Sequence, residues 1–506
     1  VGSRFGKLQA KCSQINHVTC KSGSELFISG LKFAGFRHLS VRQLTSQPDC
    51  PRVALAARLC NKSLITKRRN HGNSGSTGRS SEGKGRTMKG MIKAALAMSV
   101  SMIAANAYAG GFINSSQSTV LNGLAYAGAA APGSSSAASL FYNPATMTGF
   151  RGLTIDTNYT FGLPSSKATG TTNLGNLGRA TTANYAMNYF VPASYVVYQI
   201  NESLWAGISI NSTYGNSTKA NRDWVGSFAA STTKLRVITA TPSLAYKVNE
   251  MLSIGAGIQL QYISARQTVQ IPPAGVAGAG IEKADGFAVG FTLGATFTPW
   301  KGTQIGLGWR SGTDQDVEGT TRFGGAQANN SNGTLHLPNR VNLSLRQTVT
   351  QQLDILASVE WQNWGRIGHA KLNNPANPAL AVLPFGYKDG WFFSLGAEYR
   401  FNQQLTLRAG IGYEISPVTD QIRRLSLPDS DRLWLSAGFS YQVTDRFTLN
   451  ASYSYLHFQK ANITQALGGG LVFTGQSKQN AHLLSVGLTS RIGAPPPREE
   501  PLTRKY

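Results

Sequence analysis

The sequence predicts an all-β protein, a 14-stranded antiparallel transmembrane β-barrel, on three observations. Apolar residues recur with period two in runs of about ten residues or longer, the length a tilted strand needs to cross a bilayer. Short and long connections alternate strictly between those runs, as periplasmic turns and outer loops do around such a barrel. Charged residues make up only 14% of the 506-residue chain, against about 25% in a typical soluble domain. The chain has no cysteine after residue 110. An exported chain of this length then needs another source of stability, and a closed ring in which every backbone group is paired supplies it. No stretch after 110 approaches 18 consecutive apolar residues, which excludes a helical membrane protein.

The N-terminal part has a different composition. The formal charge is +25, from 48 Lys+Arg and 23 Asp+Glu. Residues 1–87 hold 16 of those cations against three acids, and all four cysteines, Cys12, Cys20, Cys50 and Cys60. The cysteine spacings do not match the short knuckles of a tetrahedral zinc site. Residues 61–87 are rich in Lys, Arg, Ser and Gly and have no apolar periodicity. A nucleic-acid-binding arm is one reading. A non-native or untranslated leader is preferred, because a complete export signal follows it. Met88 opens that signal, Lys89 and Lys93 make it basic, residues 94–105 are its apolar stretch, and Ala107 and Ala109 form its cleavage site. The stretch is too short to span a bilayer. The expected division is therefore 1–87 leader, 88–109 signal peptide, 110–150 N-terminal segment, 151–492 barrel and 493–506 tail. The mature chain starts at Gly110 and is no nucleic-acid binder.

The strands are expected near 151–162, 190–200, 203–214, 235–248, 251–266, 284–298, 303–312, 338–348, 352–365, 389–401, 404–415, 431–443, 446–457 and 480–492. Leu153, Ile155, Thr157, Tyr159 and Phe161 alternate with Thr154, Asp156, Asn158 and Thr160. Leu252 to Tyr262 and Phe287 to Phe297 alternate in the same way with Ser, Gly, Gln and Thr. The turns are short, for example Asn201-Glu202, Asn249-Glu250 and Asn402-Gln403. The loops, near 163–189, 215–234, 267–283, 313–337, 366–388, 416–430 and 458–479, are long. Tyr214, Tyr246, Tyr262, Trp309, Trp361, Tyr399, Tyr413, Tyr441 and Tyr453 fall towards strand ends, as aromatic girdles do. If Val359 and Trp361 face lipid, Glu360 faces the lumen. The same parity sends Glu398, Arg310, Arg346 and Arg408 inward, where buried charges should pair across neighbouring strands.

Residues 110–150 are dominated by Gly, Ala and Ser and end in Phe141-Tyr142-Asn143-Pro144-Ala145. Composition leaves two readings open, a plug inside the lumen or a flexible periplasmic extension. The chain resembles the FadL-type outer-membrane transporters over about 110–492. The resemblance is carried by Asn143-Pro144-Ala145 some thirty residues after Gly110-Gly111-Phe112. It also rests on Thr241 to Tyr246 with its turn, on Gly306 to Ser311, on Glu360 to Trp364 and on Gly396 to Arg400. The most specific part is the run from Leu407 to Gly410 through Ser416-Pro417 to the Leu427-Pro428-Asp429-Ser430-Asp431-Arg432 segment. That family imports long-chain fatty acids and, in some members, aromatic hydrocarbons. The resemblance implies an N-terminal hatch inside the lumen and sideways exit of the ligand through a kinked strand. Such barrels usually end on an aromatic residue. Here Ile492 is followed by Gly493-Ala494 and three prolines, which cannot continue a strand.

The expected function is passive uptake of hydrophobic molecules, with long-chain fatty acid as the first cargo and aromatic hydrocarbon as the second. An outer-membrane adhesin or structural barrel is the rival of a different class, and it leaves the hatch unexplained. An enzyme is not expected: the histidines after 110 are His336, His369, His457 and His482, and none sits in a nucleophile elbow. Candidate passage residues are Phe112, Phe141, Asn143, Pro144 and Ala145. Arg310, Arg346 and Arg408 are candidates for a ligand carboxylate, because a carboxylate entering a low-dielectric pocket needs a cation or several donors. Ile271, Val276, Leu383 and Phe385 lie in unusually apolar loop segments and are candidates for outer docking. Expected partners are the hydrophobic ligand, outer-membrane lipid and lipopolysaccharide, and the barrel-assembly machinery; no cofactor is expected, and the barrel is expected to be monomeric.

N-terminal sequencing of the protein recovered from outer membranes is expected to begin at Gly110. A mature protein that retains Cys12 or Cys60 would refute the leader reading.

Overall fold

The computed structural model describes residues 111–229, 231–271, 276–322, 329–373, 382–468 and 470–493, with side chains except at 269–271, 276–282, 369–373, 382–384 and 468. The segments expected to be a leader and a signal peptide, and the prolines after Gly493, lie outside the described residues.

Fourteen strands make the wall: β1 Leu153–Thr172, β2 Tyr189–Gln199, β3 Leu204–Lys219, β4 Thr232–Lys247, β5 Leu252–Ile271, β6 Val276–Trp300, β7 Thr303–Arg310, β8 Arg340–Thr348, β9 Leu353–Gln362, β10 Gly390–Arg400, β11 Leu405–Ile415, β12 Arg432–Gln442, β13 Phe447–Phe458 and β14 Leu471–Ile492. Each pairs antiparallel with its neighbour in sequence. β1 closes the ring on β14 from Leu153 opposite Ile492 to Thr172 opposite Phe473. This is the ring that the alternation predicts.

The short turns share one device. Asn201, Asn249 and Asn402 each accept two backbone N–H groups with the side-chain oxygen, from residues two and three ahead, at 2.7–2.9 Å. Thr350 and Thr444 do the same with their hydroxyls. An Asx or Thr acceptor satisfies the donors that a tight reversal strands, which fixes the turn.

The strands differ from the expectation at the outer end. β1, β5, β6 and β14 run well beyond the expected limits. Further strands at Thr182–Asn184, Asp314–Arg322, Asn329–His336, His369–Asn373, Val382–Pro384 and Ala461–Gly468 continue the sheet through much of what reads as loop. Apart from Val382–Pro384, these stretches are rich in polar residues and glycine and carry no apolar face of strand length, yet the ladder of backbone hydrogen bonds continues from the strand below.

The outer wall is apolar, with Leu244, Ile254, Phe291 and Leu395 about half exposed, while Ser, Thr, Gln and Gly face inward. Tyr246, Tyr262, Tyr399, Tyr413, Tyr441 and Tyr453 are exposed on the outer face as girdle residues. Tyr214 is a correction: it is buried in the lumen. The register of β3 against β4 shifts between Ser212 and Tyr214, and the extra residue reverses the parity of everything above it.

The lumen is filled by residues 111–150, nearly all of them buried. Ser118 caps a single helical turn at Thr119–Asn122, and 3-10 helices follow at Ala137–Phe141 and Pro144–Gly149. The wall meets this hatch at glycines. A Cβ on Gly306 would fall on the carbonyl of Ala130, and one on Gly308 on that of Tyr142. Backbone meets backbone there, and only glycine leaves the room.

Gly306→Val is expected to destabilise the hatch by about 1–3 kcal/mol, the usual cost of overpacking. Limited proteolysis in detergent should then cut between residues 111 and 150 in a barrel whose wall remains intact.

Candidate functional site

The hatch is pinned to the wall by Asn143. Its side-chain oxygen accepts the Ala145 N–H at 2.9 Å, and its Nδ2 donates to the carbonyls of Ala130 (2.9 Å) and Ala295 (2.8 Å). Pro144 at the first helical position has no N–H to leave unpaired, and Asn143 before it is extended, with φ −152° and ψ 107°. One amide thus caps the helix, ties two parts of the hatch together and bonds to β6.

Towards the periplasm, charges brace the wall. Glu398 on β10 accepts from Arg408 on β11 (2.6 Å) and from Arg346 on β8 (2.8 Å). Arg346 also pairs with Asp354 on β9, which takes a bond from Arg400 at 2.6 Å. The hatch joins this network: Ser135 donates to Glu398 at 2.9 Å, and Arg346 donates to the Pro132 carbonyl at 2.7 Å. Higher up, Arg340 on β8 donates twice to Glu360 on β9, at 3.0 and 2.7 Å, and Arg432 on β12 pairs with Glu414 and Asp429. Glu360, Glu398, Arg310, Arg346 and Arg408 are all buried, as the parity argument requires. Arg346 and Arg408 are engaged by carboxylates.

Arg310 is different. Its Nη1 donates to the Phe141 carbonyl at 2.9 Å and its Nη2 to Gln259 Oε1 at 2.6 Å. Its guanidinium lies over the Phe141 ring, 4.2 Å from the centroid. Among the described residues its partners are neutral. The physical reason is local: inward positions of β5 and β6 carry Gln259, Gln261, Thr292 and small residues, and the residue directly opposite on β8 is another cation, Arg340, which holds Glu360.

Above the hatch lies an apolar cluster of Phe112, Ile113, Tyr214, Leu337, Trp364 and Tyr387, with Phe385 packed against its edge. Phe112 meets Trp364 edge-on at 4.7 Å, and Phe385 meets Tyr387 at 5.4 Å. Burial pushes the Tyr387 phenol above its ordinary pKa, with Asp429 adding to the shift. Gly111 closes the cluster at one side, its N–H donating to Asp429 at 2.9 Å. Burial raises the Asp429 carboxyl, against the pull of Arg432.

The wall is incomplete beside this cluster. β2 pairs with β3 only from Ser194 opposite Ile210 to Gln199 opposite Trp205. Above that, β3 bonds instead to the N-terminal segment: Asn114 N–H to the Thr213 carbonyl and Gly215 N–H to the Phe112 carbonyl, both 2.9 Å. Asn114 and Gln117 side chains donate to the Ser212 carbonyl at 2.8 and 2.6 Å. Pro192 lies just above the last paired residue of β2 and has no N–H to offer. A gap in the wall between β2 and β3 is thereby stopped by residues 112–117.

The structure brings Phe112, Phe141 and Arg310 to the boundary between hatch and cluster, with Asn143, Pro144 and Ala145 on the wall below. Of the docking candidates, Phe385 reaches the cluster. Ile271 and Val276 face each other as the end residues of β5 and β6, and Leu383 pairs opposite Ala370; their side chains lie outside the described residues. Sequence reasoning missed Leu337 and Tyr387, which lie in expected loops, it set Trp364 at the end of a strand where a 3-10 turn at Trp364–Ile367 carries it inward, and it missed Arg340. Arg340 is inward by the same parity that places Glu360.

The family model described as outer membrane protein transport protein (OMPP1/FadL/TodX) matches residues 100–492. The chain belongs to this family. The long-chain fatty acid transport protein of Escherichia coli (strain K12) is 28% identical over 422 residues, covering 74% of this chain and 93% of the relative. Outer membrane protein P1 of Haemophilus influenzae is 26% identical over 429 residues, covering 75% and 92%. Among solved structures, a Pseudomonas aeruginosa FadL homologue superposes with a TM-score of 0.69 at 21% identity, over 75% of this chain and 99% of that one. The P. putida toluene transporter TodX gives 0.58 at 16%, over 74% and 99%. The protein is an outer-membrane transporter for hydrophobic molecules, in a family of transporters and not of enzymes.

Glu398→Leu is expected to destabilise the barrel by up to about 3–5 kcal/mol, because Arg408 loses its carboxylate in a buried site. The loss of heat-resistant mobility in detergent gels at a lower temperature reads this out. Adding Arg408→Met to the same protein should restore much of the loss.

Proposed function

We propose that the cargo is a long-chain fatty acid and that Arg310 receives its carboxylate. The observation that carries this reading is a buried lumen cation with neutral partners, placed where the apolar cluster ends and the hatch begins. Arg346 and Arg408 are not assigned that role, since each already holds a carboxylate. An acyl chain docks near Phe385 and slides among Phe112, Trp364 and Tyr214. Its carboxylate then displaces Gln259 from Arg310, exchanging a neutral acceptor for a charged one. The chain leaves sideways between β2 and β3 when residues 112–117 give up their bonds to β3, so that it passes from one apolar surface to another without a water-filled step. Diffusion down the gradient drives the transfer.

The second reading, an aromatic hydrocarbon, is favoured by the aromatic lining of the cluster. It needs no role for Arg310. The relatives divide along the same line: those in E. coli are named for long-chain fatty acids, while solved neighbours from P. putida and Ralstonia pickettii are named as toluene transporters.

Binding of oleate, methyl oleate and toluene to the purified barrel, with and without Arg310→Met, tests the proposal. Oleate is expected to bind the native protein better than its ester does. Arg310→Met is expected to weaken oleate by on the order of tenfold to a hundredfold, the worth of one charge-assisted hydrogen bond, and to leave toluene unchanged. Equal binding of all three ligands would transfer the assignment to hydrocarbon. Asn143→Ala combined with Pro144→Ala is expected to slow uptake in cells while the barrel still assembles.

A further inference from the structure

On the outer face of β3, β4 and β5, four cations gather where the apolar band ends. Lys234 on β4 stands directly opposite Arg266 on β5, Arg236 lies two residues below Lys234, and Lys219 ends β3 on the diagonal beside them. Lys219, Lys234 and Arg266 are exposed. Among the described residues, none of these three makes an ion pair. Asp285, the acid on the same face of β6, is bonded to Lys283 at 3.0 Å.

Like charges directly opposite on paired strands repel and destabilise the pair. No fold requirement asks for them here, since the outer face of the ladder accepts any side chain long enough to reach the interface. The cluster sits just above Ile238 and its partner Tyr262, a girdle tyrosine. At that depth the side chains meet lipid headgroups. The arrangement recurs across the closing seam, where Lys167 on β1 is paired directly with Lys478 on β14, both exposed and both above Phe161, Leu163 and Leu484.

We infer that the Lys219–Lys234–Arg236–Arg266 cluster is a binding surface for the phosphate groups of an outer-leaflet lipid. A phosphate placed between Lys234 and Arg266 turns the repulsion between them into two attractions. The guanidinium offers a forked pair of donors to two phosphate oxygens, and the lysines supply point charges around them. The apolar wall below, with Leu260, Tyr262 and Leu244 exposed, receives the acyl chains of the same molecule. Headgroup and tails are thus held by one continuous strip of β3 to β5.

The test uses the full chain purified in a non-ionic detergent and titrated with lipopolysaccharide, with enzymatically dephosphorylated lipopolysaccharide and with inorganic phosphate. Binding is followed by native mass spectrometry. Intact lipopolysaccharide is expected to stay bound through detergent exchange, and the other two probes are not. Lys234→Gln with Arg266→Gln is expected to weaken its binding about fivefold per charge removed. Lys301→Gln, in an exposed turn at the opposite rim, should have no effect. If the double variant does not assemble, Lys219→Gln at the strand end is read in the same way. Equal binding of intact and dephosphorylated lipid, protection by free phosphate alone, or undiminished binding by the variants would each overturn the inference.

Discussion

A strand in lipid must give every backbone N–H and C=O to another strand, because hydrocarbon offers no partner. That requirement closes β1 on β14. It also forces a solution at the one place where the wall parts. On its β2 side, β3 from Ser212 to Gly215 has no strand neighbour, and the N-terminal segment supplies its bonds from inside. The hatch is therefore a piece of the sheet as well as a plug. Its first described residues complete the hydrogen bonding that the wall leaves open, and the same residues, Phe112 and Ile113, line the apolar cluster. The β2–β3 seam and the apolar cluster are physically coupled, since one short stretch of chain serves both.

Filling a barrel of this width brings a second demand. The hatch approaches the wall backbone to backbone, so inward positions on β5, β6, β7 and β11 are often glycine or another small residue. Where the hatch is polar, the wall answers with Ser344, Ser358 and Ser485, each of which bonds to hatch backbone or to a hatch side chain. Apart from Arg310, the charged pairs on β8 to β12 sit where partners meet from two or three strands. Glu398 with its two arginines is such a place, and those bonds cost little only because they are complete.

Much of this was legible in the sequence because a strand repeats every two residues. Once Val359 and Trp361 are set outward, Glu360, Glu398 and Arg408 have no choice of face, and the alternation of short and long connections orders all fourteen strands. Legibility stopped where that repeat breaks or ends. Tyr214 reads as a girdle residue, but the extra residue at Thr213 turns it inward. The outer hairpins read as loops because pairing above the bilayer needs no apolar face. The partners of Arg310 could not be read at all: Phe141 is 169 residues away in sequence, and its carbonyl reaches the guanidinium only because the hatch folds back into the lumen.

The distribution of charge around the lumen gives the barrel a mechanical asymmetry. Inward ion pairs tie β8 to β12 together, each strand held to the next by bonds stronger than a neutral contact. From β2 to β6, among the described residues, no inward charged residue lies within the membrane-spanning part of the wall; the lining is neutral, from Val191, Val197 and Trp205 to Ser, Thr, Asn, Gln, Tyr and glycine. One side is a stator, the other is compliant, and the gap lies in the compliant side. On the proposed route, strain at β2 and β3 falls on the compliant side while the hatch stays anchored through Ser135 and Pro132 to the stiff side. One closed ring thus combines a charge-braced arc with an arc held by backbone bonds and neutral side chains alone.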